Sequence, residues 1–282
     1  MTHKISLAPL TVLELSPTQA VETAAAAGYD YVGLRLIPST PEETVYPIIG
    51  DTPLVRETRK RADDLGILIL DIETLRLQPE TDVRADYSRF VETGASLGAR
   101  HILVAGNDPE RHRLTDNFRT LAELAAEHNM IANLEFMPWT DVPDLRDAAR
   151  VMQAVGHPST GLLIDSIHFD RSGSNVEDLR TLPAEWFHYL QICDGPAEKP
   201  ATTEQLIHHA RHDRLLPGRG GIDLLGQLRY LPDNLVISVE VPLNTPEPLQ
   251  ASVRAELALA ATREVLDRTA SVSPSSSSME TK

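Results

Sequence analysis

Four residues able to ligate a hard cation stand at or near the ends of four successive apolar runs in the second half of the chain: Glu135, Asp165, Gln191 and Glu240. Glu135 closes Ile131-Ala-Asn-Leu-Glu, Asp165 closes Gly161-Leu-Leu-Ile-Asp, Gln191 lies in Leu190-Gln-Ile-Cys-Asp194, and Glu240 closes Leu235-Val-Ile-Ser-Val-Glu. If these runs are neighbouring parallel strands, three carboxylates crowd one mouth. Their repulsion there is on the order of several kcal/mol unless they are protonated or neutralised. One divalent cation is the simple remedy, and an all-oxygen donor set suits Mg2+ or Mn2+, with Co2+ a further candidate, better than Zn2+. Such an ion acts as a Lewis acid on a carbonyl oxygen and a neighbouring hydroxyl, and stabilises the enediolate formed when a proton leaves the adjacent carbon.

Carboxylates can converge in this way only if the runs are strands of one sheet that share a direction. Short β-branched or apolar runs alternate with longer helix-like stretches along the whole chain, the pattern of parallel βα units. Eight such runs fall at 4–8, 31–36, 67–72, 101–105, 131–136, 161–165, 187–192 and 235–240. Ser16-Pro17 caps and starts a helix, while Gly28, Gly66 and Gly98 stop helices shortly before the next strand. Eight strands with eight crossovers predict a single α/β unit, a (β/α)8 TIM barrel over 1–268, whose catalytic residues come from the carboxyl ends of its strands. The Ser-rich stretch 269–282 reads as a disordered tail. Two long segments, 38–52 and 194–223, follow strands two and seven and read as binding loops.

Several other residues qualify by position. Arg35 and Glu73, at the ends of strands two and three, either close the far side of the pocket or pair with one another. The loop after strand seven carries His208, His209, Arg211, His212, Arg214 and Arg219, a density of cations that suits an anionic substrate. Within it, Gly218-Arg-Gly-Gly221 is either a backbone cradle for an anion or a turn before a helix near Ile222. Trp139 either walls the pocket or packs. His101 opens its strand and belongs to the opposite end, and Cys193 alternates away from Gln191 toward the outer helices.

Composition narrows the function classes. The 282 residues carry a formal charge of -15, which disfavours nucleic acid and anionic membranes as partners. No apolar run is long enough to span a bilayer, the start is unlike a signal peptide, and the lone cysteine makes no intramolecular disulfide. A cytoplasmic enzyme acting on a small molecule, with homo-oligomerisation open, is the expectation.

Taken in order, Gly28-Tyr-Asp-Tyr-Val-Gly-Leu-Arg35, Leu134-Glu135, Asp165-Ser-Ile-His168, Leu190-Gln-Ile-Cys-Asp194, Leu216-Pro-Gly-Arg-Gly-Gly-Ile-Asp223 and Val239-Glu240 resemble the xylose-isomerase-like TIM barrel superfamily, the sugar phosphate isomerase/epimerase family. The resemblance spans about 4–266. It implies metal ligands at Glu135, Asp165, Gln191 and Glu240, a substrate-contacting His168, and substrate contacts from Arg35, Glu73, Arg211, Arg214 and Arg219. The implied reaction is proton abstraction α to the carbonyl of a small sugar- or cyclitol-like substrate, and in the epimerase-like reading Glu135 and Glu240 lie on opposite sides of the substrate and trade roles as base and acid. Many epimerases of the superfamily have histidine where Gln191 stands. Gln191 and the Arg-bearing loop are similar to the bacterial 3-dehydroshikimate dehydratase branch, so a dehydratase of that or the inosose type is the alternative, with His168 or a ligand glutamate as base. Arg35 departs from that branch, which tends to be acidic there. An inactive barrel serving as a binding subunit is the alternative from another class.

Overall fold

The computed structural model describes residues 3–272. Its strands are β1 Ile5–Leu7, β2 Tyr31–Arg35, β3 Leu68–Leu77, β4 His101–Gly106, β5 Ile131–Glu135, β6 Thr160–Asp165, β7 Tyr189–Ile192 and β8 Val236–Val239. All pair in parallel with their sequence neighbours, and β1 pairs with β8, so the sheet closes into a barrel in the order β1 to β8. The expected (β/α)8 fold is the observed one. Around it lie α1 Pro17–Ala27, α2 Pro53–Leu65, α3 Val83–Leu97, α4 Arg111–Glu127, α5 Leu145–Val155, α6 Ser166–Arg171, α7 Thr203–His212, α8 Leu224–Tyr230 and α9 Ala251–Val272.

Local chemistry explains the boundaries. Ser16 and Gln19 form a reciprocal capping box with Pro17 in the first turn of α1, and Gly28 ends that helix in the left-handed conformation at φ 89°. Thr52 and Asp82 cap α2 and α3 through their side chains. The outward faces of the strands and the inward faces of the helices share one apolar core, which includes Val32, Ile72, Val104, Phe118, Leu162 and Ile237. A smaller apolar plug of Leu70, Leu103, Leu163 and Tyr189 fills the inside of the barrel. His101 opens β4, stacked against His188 with centroids 5.6 Å apart, and burial pulls its pKa down to about 3.

Four departures from the sequence expectation have physical reasons. The strand expected at 67–72 continues to Leu77, because β3 shifts register between Ile72 and Leu75 and resumes pairing with β4. Glu73 is therefore inside a strand and fully buried, not at its end. The segment 194–223 is not all loop, since α7 occupies Thr203–His212 with Thr202 as its cap. Finally, α9 continues through Val272, so 269–272 belong to a helix, and the remainder of the expected tail lies outside the described residues.

Candidate metal centre and active site

The carboxyl ends of β5, β6 and β7, together with the residue after β8, bring the four expected ligands to one wall of the barrel mouth. Register does this: Ala105 lies opposite Glu135, Asp165 opposite Gln191, and the Glu240 backbone N–H donates to the Ile192 carbonyl at 3.1 Å, extending the ladder one residue beyond β8. All four side chains are buried. Glu135, Asp165 and His168 each present a ligating atom within 4.8 Å of the others. The Gln191 amide N–H donates to Glu240 Oε1 at 3.3 Å, and its own Oε1 is buried with no hydrogen-bond partner. An orphaned buried acceptor is costly unless something electropositive meets it. With Asp165 as its register partner and Glu240 as its hydrogen-bond partner, this acceptor fits a divalent ion, although the tightest ligand cluster is Glu135, Asp165 and His168.

Asp165 is fixed from behind. It caps α6, its Oδ1 accepting from the backbone N–H groups of Ile167 (2.9 Å) and His168 (3.2 Å). That cap turns the chain so that His168 Nε2 stands 3.8 Å from Glu135 Oε1, with Trp139 packed edge-on against the imidazole at a centroid distance of 5.0 Å. Trp139 is thus a wall of the site. Burial lowers the His168 pKa to about 4, with Asp165 only partly opposing, so the ring is neutral at physiological pH and available as a base or ligand.

Arg214 is the principal correction to the expected anion-binding set. Its guanidinium is buried, donating from Nη1 to Asp165 Oδ2 at 2.6 Å and pairing through Nη2 with Glu240 Oε2 at 3.0 Å. Nη1 also reaches Cys193 Sγ at 3.3 Å, and Nε donates to the Ala210 carbonyl. With these partners its fork is taken up by two of the candidate ligand carboxylates. Cys193 packs in the outer core as expected, yet its sulfur helps hold Arg214. Arg219 is also corrected. The turn at Gly218, φ 77°, sends it outward to an exposed ion pair with Glu264 of α9 at 2.6 Å. Arg35 bonds Ser39 Oγ at 2.8 Å and pairs with Glu43 at 3.1 Å and Glu73 at 3.3 Å, so the Arg35–Glu73 couple is an internal ion pair.

Two features escaped the sequence reading. The backbone N–H groups of Gly195 (2.8 Å), Gly220 (2.9 Å) and Ile222 (3.0 Å) converge on the Asp194 carboxylate. The glycine-rich stretch is a cradle whose anion is the protein's own Asp194, and a Cβ at Gly220 would strike that carboxylate. The second is Arg76, brought to the mouth by the extension of β3. Its guanidinium donates to Asn107 Oδ1 at 3.3 Å, and its pKa is lowered first by burial and next by Arg211, with Glu135 opposing. Arg211 is therefore near enough to Arg76 to oppose its charge.

The electrostatics follow from burial. Glu135 is raised well above the usual carboxylate range by burial and by Asp165 and Glu240. Glu240 is raised to about 8 by burial, against the pull of Arg214. For Asp165, burial works upward, but Arg214, His168 and the hydrogen bonds outweigh it and hold the group below its ordinary value. Burial thus pushes Glu135 and Glu240 toward the protonated form while Asp165 is favoured as the anion, a separation suited to acid–base work.

The chain has relatives among known proteins. The family model described as "Xylose isomerase-like TIM barrel" matches residues 21–263. The chain belongs to the xylose isomerase-like TIM barrel family. An inosose isomerase of Bacillus velezensis is 26% identical over 253 residues, covering 84% of this chain and 88% of that relative. A 3-dehydroshikimate dehydratase of Pseudomonas putida is 26% identical over 236 residues, 78% of this chain but 35% of the dehydratase, so the match takes in about a third of that longer protein. These family members are named as isomerases and dehydratases, and the chain is an enzyme. Among solved structures, the IOLI protein with a bound zinc atom superposes with TM-score 0.78 at 23% identity, covering 94% of this chain and 99% of that one. A D-psicose 3-epimerase superposes at TM-score 0.68 and 16% identity, covering 94% and 98%. Both structural likenesses are of fold. No helix among the described residues is long and apolar enough to cross a membrane.

Arg214→Met should cost chelator-treated protein about 3–5 kcal/mol, because two buried carboxylates lose their counter-ion. Added Mn2+ should recover part of that loss. Urea denaturation with and without metal measures both, and an unchanged midpoint would remove Arg214 from its neutralising role.

A carboxyl whose folded-state pKa is raised binds more protons folded than unfolded, so its contribution is present in full below the unfolded value and is lost as pH rises through the folded one. Glu240, raised from 4.5 to about 8, and Asp71 and Glu73, raised to about 7, set the window. Chelator-treated protein should therefore lose thermal stability between roughly pH 4.5 and 8, and saturating Mn2+ should flatten the slope. A melting temperature that rises across that window without metal would contradict the assignment.

Proposed function

We propose that this enzyme is a divalent-metal-dependent isomerase or epimerase that removes a proton from the carbon next to the carbonyl of a small sugar- or cyclitol-like substrate. The observation that carries the reading is the pair Glu135 and Glu240, buried at the end of β5 and just after β8 with Asp165 and Gln191 on the strands between them. The inosose isomerase relatives supply the substrate class.

Glu135, Asp165, Gln191 and Glu240 would hold the ion, and their oxygen donors favour Mg2+ or Mn2+. When bound, the ion supplies Lewis acidity toward a carbonyl oxygen and lowers the pKa of the carboxyls around it. Either glutamate can then accept the substrate proton while the other returns one. His168, neutral and seated against Trp139, hydrogen-bonds a substrate hydroxyl. Arg214 keeps Asp165 and Glu240 in place throughout, and the walls of the mouth exclude water from the carbanion equivalent. A second reading, a dehydratase whose substrate carries a carboxylate, is supported by Arg76 and Arg211, two half-buried guanidiniums near enough for Arg211 to oppose the charge of Arg76, and by the dehydratase relatives. The same proton removal then ends in loss of a β-hydroxyl.

Incubation with inososes, ketoses and 3-dehydroshikimate in deuterated buffer with Mn2+ separates the two. Exchange at the carbon α to the carbonyl without loss of water marks the isomerase, and dehydration marks the second reading. Glu240→Gln should lower exchange by about 10²-fold or more with the fold retained by circular dichroism. Full exchange in thoroughly chelated wild type would refute the metal-dependent mechanism.

Arg211→Ala should raise KM roughly tenfold or more for an acid substrate and leave that for a neutral one unchanged. Equal effects on both would take Arg211 out of anion binding.

A further inference from the structure

The reading above leaves one group of chemistry-bearing side chains unused, the histidines of α7. His208 and His212 are four residues apart on this helix, and both are exposed. Residues at that spacing share a face, one turn above the other. Their ring centroids are 5.5 Å apart, with the planes inclined by 44°. His209 between them is turned inward, with its Nδ1 buried, and takes no part in the solvent-facing pair.

Two imidazole nitrogens bound to one zinc at about 2.0–2.1 Å in a tetrahedral arrangement place their ring centroids about 5 Å apart. The α7 pair already stands near that separation. Both rings are exposed, so side-chain rotation is free to turn a nitrogen of each toward one ion. The i, i+4 histidine pair on a helix is the same arrangement that zinc peptidases use to hold their metal. The two imidazoles are the protein donors, with water for the remaining positions.

We propose that His208 and His212 form a second metal site, on the outer face of α7, that takes a borderline divalent cation such as Zn2+ or Ni2+. Its donors set it apart from the mouth. Imidazole nitrogens favour Zn2+, Ni2+ and Cu2+, whereas the oxygen set of the mouth favours Mg2+ and Mn2+. The chelate spans the last turn of α7 and braces it immediately before Arg214, the residue that joins Asp165 to Glu240.

Titration calorimetry of Ni2+ into the whole, untagged protein held in saturating Mg2+ tests the site. Wild type should bind an equivalent of Ni2+ that is lost in His208→Ala and again in His212→Ala, and that survives in Glu135→Gln. Retention of untagged wild type on immobilised Ni2+, and its loss in either histidine variant, should follow the same pattern. Wild-type Ni2+ uptake in both histidine variants, or loss of all uptake in Glu135→Gln, would overturn the proposal. Because the histidine variants leave the mouth residues untouched, either result is independent of the reaction the mouth performs.

Discussion

The upper half of this barrel buries more negative charge than positive. Asp71, Glu73, Glu135, Asp165 and Glu240 are all withdrawn from water, and the guanidiniums that meet them are Arg35 and Arg214. Burying a charge without a partner costs far more than any surface interaction returns. The interior therefore balances itself in three ways. Arg214 clamps Asp165 and Glu240, Arg35 joins Glu73 to Glu43, and burial raises the pKa of the remaining Asp71 and Glu135, favouring their protonated forms. Tyr189 adds to this from below, its hydroxyl donating to Asp71 Oδ2 at 3.1 Å. A divalent ion at the mouth fits the same constraint, since it offsets the charge that the guanidiniums leave.

The position of Arg214 in turn depends on backbone hydrogen bonds. Asp194 and Leu215 exchange two of them, N–H to carbonyl at 2.9 and 2.8 Å, pinning the chain after α7 to the end of β7. The Asp194 carboxylate, held by three N–H groups of the glycine turn, locks the other side of the same segment. Arg214 lies between α7 and this bridge, so its buried guanidinium is aimed by the loop and not by a strand. A loop so tightly held is part of the site's framework, which explains why a stretch rich in cations presents so few of them to a substrate.

Much of the fold was legible in the chain. The alternation of strand-like and helix-like runs, punctuated by Ser16-Pro17 and by Gly28, Gly66 and Gly98, yields eight βα units. Their count yields closure, because local capping and side-chain period depend on neighbours in sequence. The extension of β3 was hidden. Glu73-Thr-Leu-Arg-Leu77 is paired through a register shift against β4, and such shifts are decided by the partner strand. Arg76 went unnoticed for the same reason.

By itself the sequence determined which strands end on oxygen donors, Glu135, Asp165, Gln191 and Glu240, because those residues follow apolar runs whose direction the βα pattern sets. Tertiary structure alone decided what each cation faces. Arg211, Arg214 and Arg219 lie within nine residues of one segment. One nears Arg76 at the mouth, one is buried between two carboxylates, and one leaves for Glu264 on α9. Their types and spacing are nearly alike, and the difference comes from a helix end, a β-bridge and a glycine turn. A long, flexible side chain has no preferred target until the folded chain supplies one, so charge composition could announce anion binding but could not say where the anion is. Here the anions are chiefly the protein's own carboxylates.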